Sequence, residues 1–78
     1  MKAAFRKKFS DAISILETMS AELQEIHDTE EERYDNLSEK AQENEKGQKL
    51  QAEIGDLQTV INNIDFAVGD LSNLAGDE

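Results

Sequence analysis

This chain of 78 residues contains no cysteine, no proline and no tryptophan, and it has only one histidine. Without cysteine it forms no disulfide, and a lone histidine cannot build the ligand sets of structural zinc sites. A domain this short buries little surface by itself, so self-association is the remaining means of stabilisation. We therefore expect no metal, no cofactor and at least a homodimer.

Long apolar runs are also missing from the sequence. No stretch approaches the roughly 18 consecutive apolar residues of a membrane-spanning helix. Asp11 and Ser14 interrupt the early apolar segment in which a signal peptide would have its core. We expect a cytoplasmic protein that does not bind membranes.

Basic residues are scarce, and the formal net charge is -10. Neither the segment from Phe9 to Glu32 nor the chain from Leu50 onward contains Lys or Arg. Such a surface should repel nucleic acid and attract basic protein surfaces. The simpler alternative is that these charges only solvate the outer faces of helices.

A seven-residue repeat runs through the second half of the chain. Apolar residues recur at alternating spacings of three and four, which is typical of a helix that packs against other helices. The pattern predicts a helix over about residues 47–75. Its predicted core positions are Ile54, Leu57, Ile61, Ile64, Val68 and Leu71.

The first half has the same spacing and predicts a helix over about residues 3–34. Phe5 and Ala12 lie on this apolar stripe. Its predicted core positions are Phe9, Leu16, Met19, Leu23 and Ile26.

A polar connection at about residues 35–46 separates the two helices, and the apolar register shifts across it. Ser38 and Asn44 are candidate helix caps. The shift favours an antiparallel hairpin, although the absence of proline leaves a single continuous helix open.

The sequence thus predicts an all-α fold in one domain, residues 1–78. Two helices share one seam, which leaves Ile13, Ile15, Val60 and Leu74 partly exposed. Pairing two antiparallel two-helix hairpins into a homo-oligomeric, coiled-coil-like four-helix bundle would cover them.

The acidic stretch near the end of the first helix is a candidate partner-binding site. Its carboxylates could imitate the phosphates of nucleic acid in a basic groove, and the alternative is an exposed helix end. The residues concerned are Glu30, Glu31, Glu32 and Asp35.

Three residues of the second helix are further candidates for partner contact. Phe66 lies off the apolar stripe, on the outer face. Gly55 and Gly69 share one heptad position, where each glycine costs about 0.8 to 1 kcal/mol of helix stability relative to alanine. They form either a smooth groove for a partner or an exposed face on which glycine is tolerated.

Nothing in the sequence indicates catalysis. The serines lack a convincing histidine and acid partner, and the glycines do not form a phosphate-binding loop. His27 has Gln24 where a helical metal site would have glutamate. We expect a non-enzymatic protein in which His27 is partly buried or merely solvated.

The connection Tyr34–Gln42, followed by Asn44–Gly47 and the heptad run, resembles small acidic helical accessory proteins of Gram-positive phages and prophages. In that group proline often replaces Ser38 and serine replaces Asn44, so the turn can differ here. The resemblance implies a phage accessory gene rather than a settled activity, and a cytoplasmic location in the host bacterium. Our functional expectation is an interaction protein, an acidic helical bundle that binds and inhibits a host protein such as a nucleic-acid-handling or defence enzyme. The alternative is an oligomerisation module, or a small-ligand sponge with sites between subunits.

Overall fold

The computed structural model describes residues 2–76 and contains three helices. Helix α1 spans Ala3–Asp35, the short helix α2 spans Glu39–Glu43, and α3 spans Glu45–Gly76. No strand is present in this part of the chain. The expected all-α fold is confirmed, and the connection contains one short helix.

The long helices α1 and α3 pack against each other in opposite directions. Leu37 and Leu50 line one cavity near the turn, whereas Ile26 and Val60 line another further along. The molecule is 57 Å long and 14 by 12 Å across. A continuous helix of this chain would be about 110 Å long, so the chain is a hairpin.

Side-chain caps define the turn between the helices. The Ser38 hydroxyl accepts a hydrogen bond from the Ala41 amide at 3.2 Å, at the start of α2. Asn44 Oδ1 accepts one from the Gly47 amide at 3.0 Å, at the start of α3. Both predicted caps are confirmed, and they satisfy amides that have no partner within their own helix.

Gly47 is buried where α3 leaves the turn. A Cβ atom here would collide with the Ala41 and Gln42 carbonyl oxygens. Only glycine allows α2 and α3 to approach this closely. The close approach fixes where the chain reverses.

The α3 side of the seam follows the predicted core. Leu50 and Ile61 are buried, and the other core positions are half-buried. Because α3 carries apolar residues at every seam position, its inward face was determined by the repeat alone. These half-buried positions are Ile54, Leu57, Ile64, Val68 and Leu71.

The α1 side of the seam corrects the predicted stripe. We use the word column for residues seven apart on one helix. Phe9, Leu16 and Leu23 are half-buried as expected. The second column in the seam contains Ile13, Ser20 and His27, while Met19 and Ile26 are 45% and 50% exposed.

Hydrogen bonds allow the column with Ser20 and His27 to lie in the seam. Burying a polar group costs free energy unless the group finds a hydrogen-bond partner. Ser20 and His27 both find carboxylate partners. Beyond Ile26, the buried column continues with Tyr34, which is half-buried, whereas the exposed column continues with Arg33. Near the turn, the seam therefore follows the column that ends in Tyr34 rather than the one that ends in Arg33.

The hairpin has a thin core. Leu50 and Ile61 are the only buried apolar side chains in the described part of the chain. The structure exposes 5876 Å², whereas a compact monomer of this mass exposes about 4,700 Å². The elongated shape thus leaves about a quarter more surface in solvent than a compact monomer would.

Candidate interaction surfaces

One long side of the hairpin, which we call the apolar side, carries exposed large apolar residues and two half-buried alanines from both long helices. In an antiparallel pair, equivalent flanking columns of the two helices lie on the same side of the seam. Ile26 of α1 and Val60 of α3 show this directly, because they line one groove. The apolar side consists of Phe5, Ala12, Ile15, Met19, Ile26, Val60, Ala67 and Leu74.

A groove of about 400 Å³ lies toward the turn end of the apolar side. Ile26, Leu57 and Val60 line it, and the carboxylates of Glu30, Glu53 and Asp56 lie around it. We call it the acidic groove. Its apolar lining and charged rim suit an apolar side chain accompanied by a cation.

The rim of the acidic groove is only partly neutralised. Glu30 is half-buried and accepts a hydrogen bond from Arg33 at 3.3 Å. Glu53 and Asp56 make no ion pair with any residue in the range 2–76. Two carboxylates beside apolar surface are therefore available to a basic partner.

The opposite long side is polar. Ser20 donates a hydrogen bond to Asp65 at 2.9 Å across the seam. Gln58 donates to Asn62 at 3.0 Å on the same side. The hairpin is consequently amphipathic as a whole, with apolar residues flanking the seam on one side and polar residues on the other.

His27 is buried in the seam among polar neighbours. Its Nδ1 lies 3.1 Å from Asp28 Oδ1, and its Nε2 lies 3.6 Å from Glu31 Oε2. The hydrogen bond with His27, aided by one from Gln24, lowers the pKa of Asp28. Within residues 2–76 no cluster of three or more ligating side chains could hold a metal ion.

The four predicted acidic residues do not form a single surface. Glu31, Glu32 and Asp35 are exposed on the outer and polar faces. Glu30 points instead toward the seam and the acidic groove. A helix turns by about 100° per residue, so consecutive carboxylates diverge.

The predicted α3 candidates lie away from the apolar side. Phe66 is 73% exposed and lines a shallow depression with Asn62 and Asp65. Gly55 and Gly69 are exposed, and a Cβ atom at either would meet no other atom. Nothing within the hairpin requires glycine at these two positions.

The sequence-based candidates omitted the acidic groove. Glu53 and Asp56 belong to a different helix from Glu30, so only the fold brings the three together. A usable signal was present in Val60 and Leu74, which share one column just beside the α3 core. That column predicted an apolar strip of α3 that another subunit would bury, but it did not predict which α1 residues lie beside the strip.

No helix in the described chain is both long and apolar enough to cross a membrane. Comparison with known proteins finds no matching family model, no matching curated protein and no matching solved structure. The geometry above is therefore the basis for assigning a function.

Proposed function

We propose that this chain is a non-enzymatic assembly protein that pairs with a second copy of itself through the apolar side. The product is a dimeric four-helix bundle. The observation that carries the proposal is the clustering of exposed large apolar side chains on one side of the hairpin, with Phe66 as the exception on the outer face. Helices that face a bundle core carry three apolar columns each. Over its second half, α3 has such a third column in Val60, Ala67 and Leu74.

The exposed area is sufficient for a stable dimer. The structure exposes about 1,100 Å² more than a compact monomer of its mass. A stable interface removes about 800 Å² from each partner. Covering the apolar side would bring the surface per chain close to that of an ordinary folded protein.

Sedimentation equilibrium at micromolar concentration tests the assembly. We expect a dimer for the natural chain and a monomer for the double variant Met19→Gln/Ile26→Gln. The matched control is Thr18→Gln/Ala21→Gln, which changes exposed residues on the outer faces of the same helix. A monomeric natural chain, or a dimer that survives the Met19/Ile26 change, would contradict the proposal.

A second candidate function is binding to a basic protein surface. It is favoured by the exposure of Glu31, Glu32 and Asp35 on faces that the bundle would leave open. In a dimer, two chains of net charge -10 would together produce a stronger negative electrostatic potential around these carboxylates. Inhibition of a host enzyme is the more specific form of this candidate and is supported only by the phage-protein resemblance.

Salt separates the two candidates. Binding through carboxylates should weaken steeply as ionic strength rises, whereas apolar assembly should change little. An affinity pull-down from bacterial lysate at low and high salt, with Glu31→Gln/Glu32→Gln/Asp35→Asn as control, should retain a basic protein only at low salt and only on the natural chain. Recovery of no protein at either salt would contradict the second candidate and leave the first unaffected.

A further inference from the structure

The two hairpins of the proposed dimer can pair with their turns at the same end or at opposite ends. We propose the second, head-to-tail arrangement, in which Phe5 of each copy packs into the acidic groove of the other. This inference rests on the proposed assembly and specifies its geometry. It also assigns the acidic groove an occupant.

The ends of the apolar side define the alignment. On α1 its outermost members are Phe5 and Ile26, separated by about 32 Å along the helix. When two such sides are overlaid in opposite directions, Phe5 of the second copy meets Ile26 of the first. Between these ends, Ala12 meets Met19, so that a small side chain lies opposite a large one.

The remaining apolar residues fit the same alignment. On α3, Leu74 of one copy meets Ala67 of the other, again large against small. Ile15 lies near the middle of the apolar side and is 61% exposed. In the head-to-tail dimer it packs close to its own counterpart beside the twofold axis.

Charge complementarity favours this alignment near the groove. The Lys2 ammonium lies 6.0 Å from the centre of the Phe5 ring. When Phe5 enters the groove of the second copy, Lys2 comes close to the unpaired carboxylate of Asp56. Lys8 comes close to Glu22 of the second copy on the flank of α1.

The arrangement with both turns at one end has an electrostatic penalty. It places Glu53 and Asp56 of both copies at the same height, although neither forms an ion pair within residues 2–76. Arg33, at the same height, is already bonded to Glu30 of its own chain. Like charges brought together in this way repel.

Distances between spin labels test the arrangement. Because the chain has no cysteine, Glu32→Cys and Thr18→Cys each provide one labelling site. Both residues are exposed in the same outer column of α1, away from the proposed interface. Thr18 lies near the middle of the apolar side, whereas Glu32 lies beyond its end.

Head-to-tail pairing predicts clearly different distances for the two labels. Along the bundle axis, the two copies of residue 32 are about 50 Å apart and those of residue 18 about 8 Å apart. With both turns at one end, both labels would give nearly equal distances set by the width of the bundle. Double electron–electron resonance distinguishes these results, and sedimentation of the labelled proteins confirms their mass.

Each outcome has a definite meaning. A long distance at residue 32 with a short one at residue 18 supports the proposal. Equal distances in a dimer would overturn the head-to-tail arrangement and leave the assembly standing. A monomeric unlabelled chain would overturn the assembly itself, and a monomer produced by either label alone would place the interface on the wrong face.

Truncation of Phe5 tests the occupant of the groove. We expect Phe5→Ala to weaken the dimer at least tenfold, while Phe66→Ala, which removes an equal side chain from the outer face, leaves its dissociation constant unchanged. The reverse result would overturn the proposal, as would equal effects. Circular dichroism of both variants, measured above the dissociation constant, checks that the helices remain formed.

Discussion

Ser20 and Asp65 are joined by a hydrogen bond of 2.9 Å across the seam, although 45 residues separate them in the chain. This bond connects the middle of α1 to α3 and fixes the rotation of α1. With Ser20 turned to the polar side, Met19 is necessarily turned to the apolar side. By setting the rotation of α1, the bond therefore also determines which α1 residues are exposed on the apolar side.

A double-mutant cycle on Ser20→Ala and Asp65→Ala measures this bond. Because the bond is exposed, we expect each single change to lower the free energy of unfolding by about 0.5 to 1.5 kcal/mol. The double variant should lose less than the sum, since both changes remove the same bond. Strict additivity in urea unfolding would show that the bond does not stabilise the hairpin. Thr18→Ala is the control, because the Thr18 hydroxyl donates its hydrogen bond within α1.

The glycines of α3 should respond oppositely to alanine. At Gly47 a Cβ atom would collide with backbone oxygens of Ala41 and Gln42. We expect Gly47→Ala to lower the unfolding free energy by about 1 to 3 kcal/mol, as overpacking does. Thermal unfolding followed by circular dichroism provides the measurement.

Gly55 and Gly69 are the matched comparison on the same helix. A Cβ atom at either meets open space, so each alanine should raise stability by about 0.8 to 1 kcal/mol. Unchanged dimerisation would show that these glycines are merely tolerated. Weaker dimerisation or weaker partner capture would instead support the smooth groove predicted as the alternative.

The contact between His27 and Asp28 predicts a pH dependence at acid pH. Because hydrogen bonding to His27 lowers the pKa of Asp28 in the folded chain, the unfolded chain binds the proton more readily. The stabilisation from this carboxylate is therefore present above its unfolded pKa and is lost as the pH falls through its folded pKa.

Carboxyl NMR titration of the natural chain and of His27→Gln checks the Asp28 prediction. In the variant, the pKa of Asp28 should move up toward its ordinary value. Lys2→Gln, which changes an exposed residue far from His27 and Asp28, is the control variant and should leave the pKa of Asp28 lowered. A midpoint for Asp28 that is the same in the natural chain and in His27→Gln would show that His27 does not cause the lowering.

The helices and the turn were predictable from sequence because their signals are local. Apolar spacing marked α1 and α3, and Ser38 and Asn44 marked the starts of α2 and α3 through side-chain geometry that needs no distant residue. Gly47 lies three residues after its cap, but nothing local showed that the approach of α2 would require glycine there.

The seam of α1 was not predictable from periodicity. Two columns flank Phe9, Leu16 and Leu23 equally well by spacing, and the prediction chose the more apolar one, with Met19 and Ile26. The hairpin turns Ser20 and His27 toward the seam instead, because both polar groups find partners. His27 contacts Asp28 and Glu31 on α1 itself, whereas the partner of Ser20 is Asp65 on α3. The α1 sequence alone does not contain that second partner. The acidic groove escaped prediction for the same reason.

Reversing the charges of Lys8 and Glu22 tests whether these residues meet across the proposed dimer. In one chain they are about 21 Å apart along α1, too far to interact directly. In the head-to-tail dimer, each Lys8 lies beside Glu22 of the second copy, giving two equivalent pairs. An exposed pair contributes about 0 to 1 kcal/mol, so Lys8→Glu and Glu22→Lys should each weaken the dimer by up to about tenfold at low salt.

The double variant Lys8→Glu/Glu22→Lys should restore the natural dissociation constant, because it re-creates both pairs with reversed polarity. Sedimentation at low and high salt provides the measurement, and high salt should diminish the differences between variants. Glu25→Lys combined with Lys8→Glu is the control, since residue 25 lies in an outer column and should not rescue the dimer. Rescue by residue 25 as effective as rescue by residue 22 would show that only the net charge matters and that Lys8 and Glu22 do not face each other.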